Sequence, residues 1–568
     1  MSQHHQLPQY RHWTAIAQEF GILYSILWLL GTTIMCWLWP RGGQYQLADL
    51  WLLTLPFLLP VIPALVLATA IWLLIRRRGY VTLWSGLAAG LRSVQTARLA
   101  PGATLPTTAA PTLILGQDDT GRSIQLDSTG LGRHFLVTGR TRQGKSTLLA
   151  DVAQQDAARA DCAVVVVDPH AGLVDVLLAT GLDRRAGDRL VVLQADQDHV
   201  PGWNLLEPLP GETPVACATR LVETALALWF RGDVTEAQRV QEHTHHAAWA
   251  LAETGWTVAE IVPLLRQRGF RQYITAQITD PDLQAWLTAL DHERDDRLRD
   301  RTESTVNRWR AFTHGTTSLI FGQRRTSFDL LHLLNNHGIL LAALPTAALG
   351  DTGAYLAAGT LLSLIDILLA RRSKNSPAHT NPYVRLILDE VQAYAVVPLQ
   401  HLLAERAGFG AALVLATQGL TQLADRRWSQ TVLNNTNVRV VFAGSAAEAQ
   451  LLAEEVFRPN PIQVKRRHDP WITFYSPTEQ LAYWTKTIQH LPPHTFFAHA
   501  PGGDPVRGTT RPLPTRLNGK ALAAVRADLA RRVGRPRAEI EVELEQRRRW
   551  IYEGASAPTI AEDTDGWV

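Results

Sequence analysis

Gly139-Arg140-Thr141-Arg142-Gln143-Gly144-Lys145-Ser146, followed by Thr147, has the residue types and spacing to hold phosphate. Two glycines separated by four residues let the backbone curl until successive N–H groups converge on phosphate oxygens. A helix starting here adds the positive end of its dipole. Lys145 brings a compact ammonium toward the β and γ phosphates, and the Ser146 hydroxyl can ligate Mg²⁺. That chemistry is an ATP or GTP site, with Gly139–Thr147 as its binding loop. Lysine is otherwise scarce. Lys145, Lys374, Lys465, Lys486 and Lys520 are the five in the chain, beside 50 arginines. Coding bias explains the ratio, but a planar guanidinium fits poorly inside a tight backbone cradle, so Lys145 sits where arginine cannot replace it.

Binding phosphate is not hydrolysis. The partner is VRLILDEVQAYA, in which Val384–Leu388 reads as a buried strand followed at once by Asp389 and Glu390. Asp389 is expected to approach Mg²⁺, through water, and Glu390 to polarise the attacking water. One strand later, Gln418 follows the apolar run Ala412–Ala416. Its amide can bond both the γ phosphate and that water, coupling nucleotide state to movement. Arg406, in LLAERAGFG, precedes the same strand. It either reaches a neighbouring subunit's phosphates or forms a structural ion pair.

These residues need a frame that brings strand ends together. Short apolar strands are expected at His134–Thr138, Ala163–Asp168, Leu190–Leu193, Gly338–Leu344, Val384–Asp389, Ala411–Ala416 and Val438–Phe442. A hairpin around Asp118–Gly121 precedes them, and a helix is expected over Ser146–Arg159. Alternation with helical stretches argues for an α/β fold with a mostly parallel sheet covered on both faces. Residues 213–321 show helical periodicity almost without strand pattern and read as an all-α insertion. There, His243, His245 and His246 could suggest a metal, but with no spaced carboxylate they read as a solvated helix face.

The amino-terminal end follows another rule. Phe20–Trp39 and Leu50–Ile75 are uncharged runs of transmembrane length, and Arg76–Arg78 follow the second. By the positive-inside rule both ends lie in the cytoplasm. The expected organisation is a two-helix membrane anchor (1–78, spans 20–39 and 50–75), a linker (79–112), a first ATPase part (113–212), the insertion (213–321), a second ATPase part (322–500) and a carboxy-terminal extension (501–568). That extension is polar and Arg-rich, ends in the acidic Glu562–Asp565 and is expected to be flexible.

Composition sets the outer limits. Of 568 residues 46% are hydrophobic, which excludes a disordered chain, and three cysteines exclude a disulfide scaffold or a Cys-based zinc site. A net charge of +3 gives no whole-chain nucleic-acid signature. Basic candidates for DNA contact are therefore local: Arg324 with Arg325, and Lys465–Arg467.

In their order, GRTRQGKST (139–147), VVVVDPHAG (164–172), FGQRRTSFDLL (321–331), LILDEVQAY (386–394), LLAERAGFGAALVLATQGL (402–420) and NNTNVRVVFAGSAAEAQLLAEE (434–455) resemble the HerA/FtsK branch of RecA-like ATPases. More narrowly, they resemble the TraG/TraD-type coupling ATPases of type IV secretion. The resemblance covers roughly residues 20–500. It implies a RecA-like P-loop core, ATP with Mg²⁺ as ligands, and Lys145, Ser146, Asp389, Glu390 and Gln418 in the roles given above, with Arg406 on the finger position. Asp168 and His170 fall on a DPHG-like motif, except that Ala171 stands before Gly172. It further implies a homo-hexamer in the plasma membrane that threads DNA, a single-stranded transfer intermediate being the expected form. Its partners would be a relaxase or other secretion substrate and the channel of a conjugative type IV secretion system. Two other readings share the motifs: a chromosomal DNA translocase of FtsK or HerA type, and a non-motor receptor that uses nucleotide as a switch.

Overall fold

The computed structural model describes residues 100–101, 112–126, 132–194, 197–230, 234–375, 383–393, 397–420, 423, 426–468 and 471–553. All lie in one unit, residues 96–568. Both expected membrane spans, 20–39 and 50–75, and the acidic tail lie outside the described residues.

The unit is built on a 12-stranded sheet. In chain order its strands are β1 Ala100–Pro101, β2 Leu113–Asp118, β3 Ser123–Leu126, β4 His134–Thr138, β5 Cys162–Asp168 and β6 Leu190–Leu193. A short β7, His199–Val200, stands apart from it. The sheet continues with β8 Ile339–Ala343, β9 Tyr383–Leu388, β10 Ala411–Thr417 and β11 Thr436–Val441. A separate hairpin follows, β12 Val464–His468 with β13 Trp471–Phe474, before β14 Thr495–His499 and β15 Val506–Thr509. The order across the sheet is β1-β3-β2-β15-β14-β11-β4-β10-β9-β5-β8-β6. From β11 to β6 every pairing is parallel, and from β14 to β1 every pairing is antiparallel. The molecule is thus an α/β protein with a large mixed sheet.

The central strands read as mostly apolar runs because both faces are covered; Arg385, inside β9, is buried and paired with Asp156 at 2.7 Å. Phe135 and Val137 of β4, with Val164 and Val166 of β5, pack into one core. Leu136, Val165 and Val167 pack into the other. This alternation is the two-residue period of a strand, and each fully buried Val or Leu contributes about 1.5–3 kcal/mol. The helix Lys145–Ala157 supplies Leu148, Leu149 and Val152 to the first core. The helix Thr346–Asn375, broken at Gly350 (φ 67°), supplies Leu361, Leu362 and Ile365 to the second. Within it Thr346–Arg372 is long and apolar enough to cross a membrane, but it is mostly buried in the protein.

Between β7 and β8 the described residues hold no strand. Thr213 caps the helix Pro214–Trp229 by accepting from the Ala216 amide, and Asp280 caps Pro281–His292 by accepting from Asp282 and Leu283. Proline at the first helical turn of each fits where no amide donor is needed. The stretch after Pro501 corrects the expectation of a flexible extension as far as Glu553. It forms β15 and the helices Gly519–Val533 and Arg537–Glu553, which bury Leu529 and Ile540. Partly buried Leu522, Val525 and Val533 on the first helix, and Leu544, Trp550 and Ile551 on the second, help dock a segment whose composition is otherwise polar and Arg-rich.

Candidate nucleotide site

The carboxyl ends of β4, β10, β9 and β5 lie side by side in the sheet. Thr138 pairs with Thr417, Leu415 with Leu388, and Leu388 with Val167. Ligands of open α/β sheets bind at this edge. The loop after β4 is shaped by three left-handed residues, Gly139 (φ 153°), Arg142 (φ 65°) and Gly144 (φ 111°). A Cβ on Gly139 would lie 2.5 Å from the Phe442 Cβ, so glycine is required there for space as well as conformation. The loop is pinned from outside by the Gly139 amide donating to Thr417 and the Arg140 amide donating to Ala443. The helix starts at Lys145, so the amides of its first turn have no intrahelical acceptor. The side chains of Arg140, Thr141, Arg142 and Ser146 are exposed, and those of Gln143 and Thr147 are half-buried.

Lys145 is buried, and its ammonium donates to the carbonyls of Gly139 (2.5 Å) and Arg140 (3.4 Å), curled back into its own loop. Burial lowers its pKa, while Glu390 and Asp389 act in the opposite sense. Asp389 is pushed up to about 7, first by burial, then by the Asp168 and Glu390 carboxylates, with Lys145 opposing. A cation would relieve the repulsion among Asp389 and its neighbouring carboxylates. Among the described residues no group of three or more His, Cys, Asp or Glu could hold a metal alone. The Ser146 hydroxyl and the Asp389 carboxylate are hard oxygen donors suited to Mg²⁺ completed by phosphate and water.

Glu390 is the most constrained residue of the site. Its φ is 50°, unusual for a residue with a side chain, and it is buried. Gln418 Nε2 donates to its Oε1 (2.9 Å) and Gln392 Nε2 to its Oε2 (2.5 Å). The structure therefore brings Lys145, Asp389, Glu390 and Gln418 into one cluster. Gln392 joins it without having been singled out from the sequence, although its place two residues after Glu390 in DEVQ was a local signal.

Other residues fall elsewhere. Asp168 accepts from the amides of His170 (2.8 Å), Leu173 (2.6 Å) and Val174 (3.1 Å), and so caps the helix Gly172–Ala179. His170 is exposed in that turn, and the left-handed position falls on Ala171 (φ 60°) rather than on Gly172. Arg406 donates to Asp366 (2.6 Å) and to Glu405 (3.2 Å). It precedes β10 whereas Gln418 follows it, and seven strand residues separate such ends by about 23 Å. Arg324 lies over the Trp256 ring and donates to the carbonyls of Gly255 and Thr254, so it is used within the insertion; Arg325 is exposed. Lys465 pairs with Glu479 and lies near the Tyr475 ring, with Arg466 and Arg467 on the same strand.

The histidine group departs from the solvated face expected for it. His243 is buried with no hydrogen-bond partner on either ring nitrogen, and His246 stacks on Trp286 at 4.7 Å. Helical spacing alone did not reveal that Trp286, 40 residues downstream, covers this face.

Residues 383–456, which run from β9 through Glu390 and Gln418, match the family model described as the TraM recognition site of TraD and TraG. No curated protein matches the chain. Among solved structures, the bacterial conjugative coupling protein TrwBΔN70 in an unbound form is 16% identical. The match covers 74% of this chain and 98% of that one, with a TM-score of 0.49. The plasmid coupling protein TrwB in complex with ADP and Mg²⁺ is 15% identical over 74% and 99% of the two chains, at 0.47. VirB4 of Thermoanaerobacter pseudethanolicus is 11% identical over 72% and 99%, at 0.44.

Proposed function

We propose that this chain, a relative of TraD and TraG across residues 383–456, is a membrane-anchored ATPase that couples DNA–protein substrates to a conjugative secretion channel. One observation carries the ATPase reading. A phosphate cradle with a buried lysine lies beside Asp389 and a Glu390 whose two oxygens are each held by an amide. In a RecA-like core of this kind Gly139–Thr147 hold the triphosphate through backbone amides, and Lys145 leaves its own carbonyls for the β and γ oxygens. Ser146 and Asp389 would hold Mg²⁺, which neutralises phosphate charge when bound. Glu390 takes a proton from the attacking water, and Gln418 orients that water and senses loss of the γ phosphate. Within one chain Arg406 is tied to Asp366, so a finger role requires a neighbouring subunit.

A pure nucleotide switch has no need of a carboxylate aimed by two amides, and this favours a motor over a passive receptor. The family match supports recognition of a relaxosome partner, with the uncharged runs 20–39 and 50–75 as the anchor in the plasma membrane and both termini cytoplasmic. A homo-hexamer threading single-stranded DNA completes the proposal. The test is ATP hydrolysis by the full chain in nanodiscs with single-stranded, duplex or no DNA, alongside plasmid transfer in cells carrying wild type or Lys145→Ala. Stimulation by single strands and loss of transfer in Lys145→Ala are expected. Strict duplex dependence with normal transfer by the variant would favour a chromosomal translocase instead.

A further inference from the structure

Gln418 stands on the turn that follows β10, and its reach to Glu390 depends on where that turn is held. Side chains from three parts of the chain hold it. The buried Thr417 hydroxyl donates to the Gly419 carbonyl (3.1 Å) and accepts from the Gly419 amide (3.2 Å). The Ser429 hydroxyl donates to the Leu420 carbonyl (2.9 Å). The Leu420 amide, two residues past Gln418, donates to Oε1 of Glu448 (2.9 Å), a residue 28 positions away.

Glu448 is buried, with 1% of its surface exposed, in the first turn of the helix Ala446–Val456. Ser445 caps that helix, its hydroxyl accepting from the Glu448 amide (3.3 Å). Serine followed three residues later by glutamate is the spacing of a capping box, in which the carboxylate reaches back to the cap's own amide. Two other helical turns of the chain close such a box, Thr257 with Glu260 and Ser476 with Glu479. At Glu448 the carboxylate reaches instead to the turn that carries Gln418. A charge taken out of water is costly unless its oxygens are used, so local capping does not account for this side chain.

The chain leading into the same helix is fastened to the phosphate cradle. The Phe442 amide donates to the Thr138 carbonyl (2.9 Å), and the Ala443 carbonyl accepts from Arg140 (2.8 Å). The Thr417 carbonyl, at the start of the Gln418 turn, accepts from Gly139 (3.3 Å). Cradle, turn and helix therefore form a ring of contacts, and Glu448 supplies the link between helix and turn.

We infer that Glu448 is a positioning residue for ATP hydrolysis: by holding the Leu420 amide it sets the turn from which Gln418 reaches Glu390. This rests on the ATPase reading above and adds a residue that acts through Gln418 rather than on the nucleotide. Its loss disturbs the chemical step and leaves the cradle able to bind.

The test is steady-state ATP hydrolysis by the full chain in nanodiscs, with ATP binding measured in parallel. Wild type is compared with Glu448→Ala, Glu448→Asp, Glu448→Gln, Gln418→Ala and the double variant of Gln418→Ala with Glu448→Ala. Glu448→Ala is expected to lower kcat at least about tenfold with KM and ATP affinity within about threefold of wild type. Glu448→Asp, whose shorter side chain withdraws the acceptor, should lose at least about fivefold in kcat. Glu448→Gln keeps an oxygen at the same reach and should restore kcat to within about threefold of wild type. In the Gln418→Ala background Glu448→Ala should cost less than about twofold more, because the two residues act in series. A merely structural role would give losses that multiply. If Glu448→Ala does not fold, Glu448→Asp carries the same comparison with and without Gln418. A wild-type kcat in the shortened variants, an equal loss in Glu448→Gln, or a full loss persisting without Gln418 overturns the assignment and leaves the ATPase reading standing. Absence of hydrolysis by wild type overturns that reading and the assignment with it.

Discussion

At Glu390, backbone and side chain are both held in place. Its left-handed φ turns the residue at the end of β9, and the amides of Gln392 and Gln418 fix its carboxylate. A base that must act on one water gains from such orientation. Truncating Gln418 to Ala should therefore lower kcat by about 10²-fold, the scale of losing one positioned donor, while leaving KM for ATP within about threefold. Steady-state kinetics on the purified chain read both numbers. The residues that meet here were legible because each follows an apolar strand at a fixed offset, so position in the sequence stood in for position in space. Gln392 and Glu448 were not. Their parts depend on a φ of 50° at Glu390 and on a contact with Leu420, 28 residues before Glu448.

Among elements, the parallel strands were readable because burial on both faces erases alternation and leaves short apolar runs. The docking of the all-α insertion was not, since helical periodicity gives a face without saying what covers it. His243 shows the difference. Burial lowers its pKa below 6.5, against the pull of Glu242 and Glu293 and with the push of Arg301 and His246. The folded form thus binds fewer protons than the unfolded one below about pH 6.5. Stability from this residue is complete above that value and drains away as pH falls toward the lowered pKa. His243→Leu should flatten the fall of Tm between pH 7.5 and 5.5. It should also raise stability at pH 7.5 by about 1–2 kcal/mol by removing two unsatisfied nitrogens. The helix Arg537–Glu553 gives a second case. Arg547, nearly buried, pairs with buried Glu260 and donates to the Gly322 carbonyl, while Trp550 stacks on Trp256 at 5.9 Å. Arg547→Ala leaves the buried Glu260 charge held, among the described residues, only by Thr257 and should cost about 3 kcal/mol. Limited proteolysis should then cut within 537–553 well before it cuts the sheet core.

Across the described molecule, the carboxy-terminal segment runs from the cradle to the insertion. It pairs Arg511 with Asp151 on the helix that begins at Lys145 (2.9 and 2.7 Å), follows the helix Gly172–Ala179 through Arg526 and Asp175, and ends against Glu260 and Trp256. Such a continuous strap is a physical link between the nucleotide site and the insertion. Arg547→Ala should accordingly weaken stimulation of hydrolysis by DNA more than it weakens basal hydrolysis, measured with the same preparation. Everything beyond that depends on the site being a working ATPase. The most direct measurement is phosphate release from ATP by the full chain with Mg²⁺, wild type against Glu390→Gln, with ATP binding measured in parallel. Hydrolysis by wild type, at least about 10²-fold slower release by Glu390→Gln and unchanged ATP binding are expected. Release by Glu390→Gln at the wild-type rate, or none by wild type in its assembled form, would contradict the assignment of Glu390 and the motor built on it.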